Sequence, residues 1–306
     1  MAWLILAFLS AALLGCYDSF KKEALYNNAV IPVLFLNTLF SSLIFLPFIV
    51  LSGMTDTLDG SIFYVSAGGW DEHKYILLKA LIVLSSWVLG YFGMKHLPLT
   101  IVGPINATRP VMVLVGALLV FGERLNGWQW AGVALAVLSF LLLSRSGKKE
   151  GIDFKHDHWI WMIVGAAALG AVSGLYDKYL MAPVESGGVG LNRMLVQSWY
   201  NIYQCFMMLA MLFLLWWPKH NETTPFHWHW SIVGVSVFLS AADFLYFYSL
   251  SLPDAMISIV SMIRRGSVVV SFLFGAAFFH EKNLKAKAFD LALVLLGMIF
   301  LYIGSA

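Results

Sequence analysis

The chain has 306 residues, of which 60% are hydrophobic and 12% charged, with a mean hydropathy of +0.80. A soluble domain carries about 25% charged residues, so this chain cannot cover a soluble surface and is expected to lie in a bilayer. The net charge of +2 comes with no basic tract, which argues against nucleic acid as a partner.

A membrane-crossing helix needs about 20 mainly apolar residues. Ten such stretches are predicted: 2–24, 29–52, 74–96, 100–122, 127–145, 158–181, 191–217, 228–250, 254–279 and 285–304. The first follows Met1 with no basic n-region and no clear cleavage site, so it is expected to be a span rather than a removed signal peptide. Pro98 and Pro253 mark tight turns after the third and eighth spans. The longest connectors, 53–73 and 182–190, leave no room for a soluble domain. Trp70, Trp128, Trp130, Trp159, Trp161, Trp216, Trp217, Trp228 and Trp230 fall near span ends, where an interfacial aromatic belt belongs. Cys16 and Cys205 sit in apolar runs, which argues against a disulfide framework and a Cys-based metal site.

The chain repeats itself. Gly15-Cys16-Tyr17-Asp18 returns 159 residues later as Gly174-Leu175-Tyr176-Asp177. Ala7, Ala11 and Gly15 match Ala166, Gly170 and Gly174, small residues every fourth position that let helices approach closely in a membrane. Tyr91-Phe92 before Pro98 matches Tyr246-Phe247 before Pro253, Asn106 and Arg109 match Ser261 and Arg264, and Glu123-Arg124 matches Glu281-Lys282. The fold class expected is therefore all-α integral membrane, ten transmembrane helices in two five-helix repeats, residues 1–150 and 151–306. Five spans per repeat turn the second upside down, and inverted repeats are a transporter architecture with substrate held near the midplane.

The run Gly103-Pro104-Ile105-Asn106-Ala107-Thr108-Arg109-Pro110, then Phe121-Gly122-Glu123-Arg124-Leu125 and a span containing Gly132, resembles the EamA-type unit of the drug/metabolite transporter superfamily. The chain looks like two such units. The second departs from the pattern, with Arg265 in place of the proline and His280 in place of the glycine before the glutamate. The resemblance implies a ten-helix exporter or exchanger of small metabolites, with a cavity lined chiefly by spans one, three, four, six, eight and nine. It does not identify the substrate.

Arg109 and Arg264 lie near the centres of their spans, where an arginine costs at least ~2.5–3.5 kcal/mol unless it is paired or faces a wet cavity. Asn106 and Ser261 precede them by three residues on the same face. Pro110 frees a backbone carbonyl one turn back, at Asn106. These four side chains are the leading substrate-binding candidates, against the alternative that each arginine is locked to a carboxylate or to backbone carbonyls. Arg265 is about 100° round the helix from Arg264, so one of the two is expected to be structural. Tyr17, Tyr176, Trp87, Tyr91, Tyr246, Tyr200 and Gln204 are further cavity candidates, although aromatics in a bundle commonly only pack. Asp18, Asp177 and Asp243 are candidates for proton coupling or gating. Asp18 has Lys21 and Lys22 one turn on, Lys178 is poorly placed to pair with Asp177, and Asp243 has no evident partner in the sequence. Glu123 and Glu281, at span ends, read as structural.

His156-Asp157-His158 and His227-Trp228-His229 fall on one membrane side but have no fixed ligand geometry, so no metal is expected, and no cofactor. Nucleotide, nucleophile-elbow and HExxH motifs are absent, so an enzyme is not expected. The function expected is a secondary transporter of a small polar or anionic metabolite, proton-coupled or exchanging, in the plasma (bacterial inner) membrane. The alternatives are a membrane enzyme acting on lipid and a non-transporting structural or receptor-like bundle. Partners expected are the bilayer and a small-molecule substrate, with a homodimer left open. Counting Lys and Arg by connector puts eleven on one side, among them Lys21, Lys22, Lys95 and Lys287, and four on the other: Lys74, Arg124, Lys178 and Arg193. Basic connectors favour the cytoplasm, which points both termini outward. The resemblance implies the reverse.

Overall fold

The computed structural model describes residues 2–109, 111–112, 126–148, 154–181, 183–252, 260, 263–278 and 284–305. Helix α1 (Ala2–Ala24) and helix α2 (Val30–Met54) are joined by a turn in which Asn27 takes φ 48°, a left-handed conformation that asparagine tolerates. One amide organises this corner. Asn28 accepts from the Ala29 N–H (2.9 Å) and donates to the Ala24 carbonyl (3.0 Å), so it ends one helix and starts the next. It also donates to the His227 carbonyl (2.7 Å) and accepts from the His227 N–H (2.8 Å), tying the corner to a distant connector.

Helix α3 (Trp70–His96) begins four residues before the expected span. The Gly69 N–H donates to the Glu72 carboxylate (2.7 Å), and Asp71 and Glu72 complement the positive end of the helix dipole. At its other end Lys22 donates to the carbonyls of Met94 (2.8 Å) and Leu97 (2.5 Å), satisfying acceptors that the helix leaves over. Pro98 turns the chain into helix α4 (Leu99–Ala107). The helix tightens at Thr108, whose N–H reaches only to Ile105 (3.2 Å). Then come α5 (Gly127–Lys148), α6 (His158–Met181) and α7 (Arg193–Met211). Asn192 caps α7 by accepting from the N–H groups of Met194 and Leu195. Beyond α7 the chain continues as a π-helical turn over Leu212–Trp216 and a 3-10 turn over Trp217–Lys219. The series closes with α8 (Ser231–Ser251), α9 (Ser267–Ala277) and α10 (Leu284–Ser305).

Six helices among the described residues are long and apolar enough to cross a membrane: Trp3–Ala24, Val30–Met54, Trp70–His96, His158–Met181, Arg193–Lys219 and Ser231–Ser249. The expected spans 100–122 and 254–279 fall partly outside the described residues, as do Pro110, Pro253, Ser261 and the two matched Glu-Arg and Glu-Lys pairs.

Packing partners alternate along the chain. Helix α1 lies on α8 and α9, α2 on α7 and α8, α3 on α6 and α7, α4 on α9, α6 and α10, and α5 on α10. The outer surface is apolar: Ile5, Phe8, Leu9, Leu43, Leu46, Leu81, Val137, Val237, Leu273 and Ile299 are exposed, the arrangement a lipid solvent selects. Trp70, Trp128, Trp130, Trp161, Trp217, Trp228 and Trp230 are exposed as well, as a belt requires. Polar groups are held inside instead. Asn37 and Ser41 of α2 and Gln197 of α7 are buried and bond across helices, Asn37 donating to Tyr91 (3.1 Å), Gln197 to the Ser240 carbonyl (3.3 Å) and Ser41 accepting from Ser240 (3.3 Å), and such bonds in membranes are worth about 0.6–2 kcal/mol each. The small-residue stripe of α1 is used for close contact. A Cβ on Gly15 would run into the Val270 side chain and lie 2.9 Å from the Ser267 carbonyl on α9.

Candidate functional site

The middle of the bundle holds a cavity of about 150 Å³. That is about the size of an engineered cavity that binds benzene and below the ~300–1,000 Å³ of drug-sized sites, so it suits a compact solute. Helix α1 contributes Leu14, Tyr17, Asp18 and Lys21, spaced by three and four and so on one face. Helix α3 contributes Lys79, Val83, Ser86, Trp87, Gly90 and Met94 at the same helical spacing. From α4 and the turn after it come Val102, Asn106 and Arg109, and from α6 Ile163, Gly170, Ser173, Gly174 and Asp177. Helix α8 adds Leu239, Asp243, Tyr246 and Phe247, and the stretch leading into α9 adds Arg264, Arg265, Ser267 and Val268, with Tyr200 from α7.

Five cations line this cavity, Lys21, Lys79, Arg109, Arg264 and Arg265, against three carboxylates, Asp18, Asp177 and Asp243. Each carboxylate has its own cation. Lys21 lies 3.4 Å from Asp18. Lys79 donates to Asp177, and Arg264 donates to Asp243. The Tyr200 hydroxyl also donates to Asp243 (2.8 Å), the Ser271 hydroxyl to Asp18 (3.2 Å). Aromatic faces support the cations: Lys21 lies 4.6 Å from the Tyr17 ring and 4.9 Å from the Tyr91 ring, and Arg264 4.2 Å from the Tyr246 ring.

Arg109 and Arg265 complete the count without a carboxylate partner among the described residues. Arg109 donates to the Asn106 side-chain oxygen (3.0 Å), and its buried Nε has no hydrogen-bond partner among the described residues. Its guanidinium lies flat against α6 at Gly170, where a Cβ would come within 2.7 Å of its Cζ. Arg264 and Arg265 both line the cavity, and of the two Arg264 is the one paired with a carboxylate, Asp243. The Gly266 N–H bonds to the Ile263 carbonyl (2.9 Å), a tight turn between the two arginines and α9.

Of the residues singled out in the sequence, Arg109, Arg264, Asn106, Tyr17, Trp87, Tyr246, Asp18, Asp177, Asp243 and Tyr200 are brought together here. Tyr91 lies behind the lining, fully buried, and accepts from Asn37 (3.1 Å). Tyr176 is off the cavity as well, donating to the Tyr75 carbonyl (3.3 Å). Gln204 is buried outside it, with both amide atoms unbonded. Ser261 lies outside the described residues. Sequence reasoning missed Lys79 as the partner of Asp177, and Arg264 with Tyr200 as the partners of Asp243. A signal for Lys79 was present: a lone lysine deep in an apolar run is a functional candidate by default. Among the described residues no three His, Cys, Asp or Glu side chains converge as metal ligands.

Spanning-length apolar helices on the outside and a charged cavity inside define a multi-pass membrane protein. Residues 1–145 match the EamA-like transporter family, a family of transporters rather than enzymes. That stretch carries the first motif run, with Asn106, Arg109, Glu123 and Arg124. Comparison with curated proteins gave no match. A crystal structure of another protein matches with a TM-score of 0.65 at 12% identity, covering 97% of this chain and 96% of the other, a likeness of fold alone.

Proposed function

We propose that the chain is a secondary transporter that moves a small anionic or polar metabolite by alternating access, in two inverted five-helix halves closing about the cavity. The surplus of positive charge in that cavity carries the reading. A helix bundle with only a structural task has no need of two guanidiniums unmatched by carboxylate, each costing at least ~2.5–3.5 kcal/mol at membrane depth. An anionic solute supplies the missing charge.

The two-half arrangement is supported by which helices touch. Exchanging each helix with the one five places away turns α1·α8 into α6·α3, α2·α8 into α7·α3 and α1·α9 into α6·α4. All of these pairs occur, and α2·α7, α4·α9 and α5·α10 map onto themselves. Asp18, Asp177 and Asp243 are the groups we assign to coupling. Protonating Asp177 or Asp243 would release a cation on another element, Lys79 or Arg264, and protonating Asp18 would release Lys21 within α1.

Counterflow into proteoliposomes with a metabolite panel tests the proposal. The wild-type protein should show saturable flux of at least one small solute. Arg109→Ala should reduce it at least about tenfold, and Arg109→Lys should restore it only in part, because lysine keeps the charge but lacks the planar fork. Full flux in both Arg109→Ala and Arg264→Ala proteins, or lipid turnover by the purified protein, would overturn it.

A further inference from the structure

We infer that the solute is a compact dianion carrying its two charges on separate oxygens, one for Arg109 and one for Arg265; this rests on the transporter reading only for its transport arm. Five cations and three carboxylates line the cavity, which leaves a surplus of two. Three cations are already neutralised at close range by Asp18, Asp177 and Asp243. Arg109 and Arg265 have no such carboxylate among the described residues, and both line the same cavity. A monoanion leaves one of them uncompensated. A zwitterion, with no net charge, leaves both. A dianion brings the cavity to neutrality, and its two ends fit two donors placed apart in the chain.

The donors sit on different elements. Arg109 follows α4 and rests on the α6 backbone at Gly170; Arg265 precedes α9, which packs on α1 at Gly15. A solute bonded to both ties α4 to α9, two helices already in contact. The volume of about 150 Å³ limits the solute to a few heavy atoms. Two chemistries present this pattern, a short dicarboxylate and a phosphate group.

The test measures binding and transport separately. Purified protein is titrated with succinate, inorganic phosphate, acetate and glycine, following ligand-induced thermal stabilisation, and each solute is also assayed in counterflow. Succinate or phosphate should bind at least about tenfold more tightly than acetate or glycine, and which of the two wins names the source. Arg265→Gln, checked for monodispersity and unfolding temperature, should weaken the preferred dianion at least about tenfold, and by a clearly larger factor than it weakens acetate. Equal binding of acetate or glycine, an unchanged dianion affinity in Arg265→Gln, or no binding by any of the four would overturn the inference while leaving transport of another solute intact. Dianion binding without counterflow of any solute would instead overturn the transporter reading and spare the assignment of the site.

Discussion

Lys79 and Asp177 face each other with side chains 3% and 10% exposed, a burial at which each charge depends on the other. Removing one partner leaves an uncompensated charge, which costs about 3–5 kcal/mol, whereas replacing both by apolar residues of similar size is often near neutral. Lys79→Met and Asp177→Leu should therefore each lower the unfolding temperature in detergent markedly, and the double variant should recover most of the loss. Additive losses in the double variant would show that the pair does not act as a unit. The pair also marks what a sequence can disclose at this scale. Arg109, Arg264 and the three aspartates stand out because a charge in an apolar run is conspicuous on its own. The pairing of Asp177 with Lys79 does not, because the two are 98 residues apart and only the packing of α3 on α6 brings them together.

Helix ends were legible wherever the local chemistry is self-contained. The span expected at 158–181 is α6 as found, and 29–52 differs from α2 by one residue at its start and two at its end. Helix α3 starts earlier than its apolar run because Glu72 and Gly69 form a polar cap, which hydropathy does not register. The small-residue stripes show a different limit. They repeat in sequence, yet their surroundings differ. Gly15 is pressed against Val270 and the Ser267 carbonyl, while a Cβ on Gly174 would meet nothing within 4 Å. Gly15→Ala should therefore destabilise by about 1–3 kcal/mol, the usual cost of overpacking, since the Ser267 backbone cannot rotate away. Gly174→Ala should be neutral or stabilising by up to about 1 kcal/mol, the gain in helix propensity. Thermal unfolding of the two variants compares them directly, and equal effects would contradict the asymmetric packing of α1 and α6.

For the whole molecule, the eleven-to-four distribution of basic residues predicts outward termini, yet several of the eleven have structural tasks. Lys21 lines the cavity, Lys22 caps α3, Lys95 donates to Thr224 (2.8 Å) and Lys287 is fully buried. On the other side Arg193 donates to the Ile62 carbonyl (3.0 Å) and Lys74 to Asp71 (2.7 Å), so both sides lose members and the bias survives. Single cysteines at Ser61 and Ser146, in a background lacking Cys16 and Cys205, should report opposite sides in intact cells. Labelling by an impermeant reagent at Ser61 with protection at Ser146 is the outcome that the charge distribution predicts. The reverse pattern would give the orientation that the EamA resemblance implies.

The central claim is that the cavity is open to solutes and carries a surplus of positive charge, and Ser173 lines it from α6. With Ser173→Cys as the sole cysteine in reconstituted protein, the rate of modification is measured for two thiol reagents of similar size, one anionic and one cationic. The account predicts that the anionic reagent reacts several-fold faster, that added salt narrows the difference, and that Arg109→Gln narrows it further. Equal rates, a faster cationic reagent, or no modification by either would contradict it.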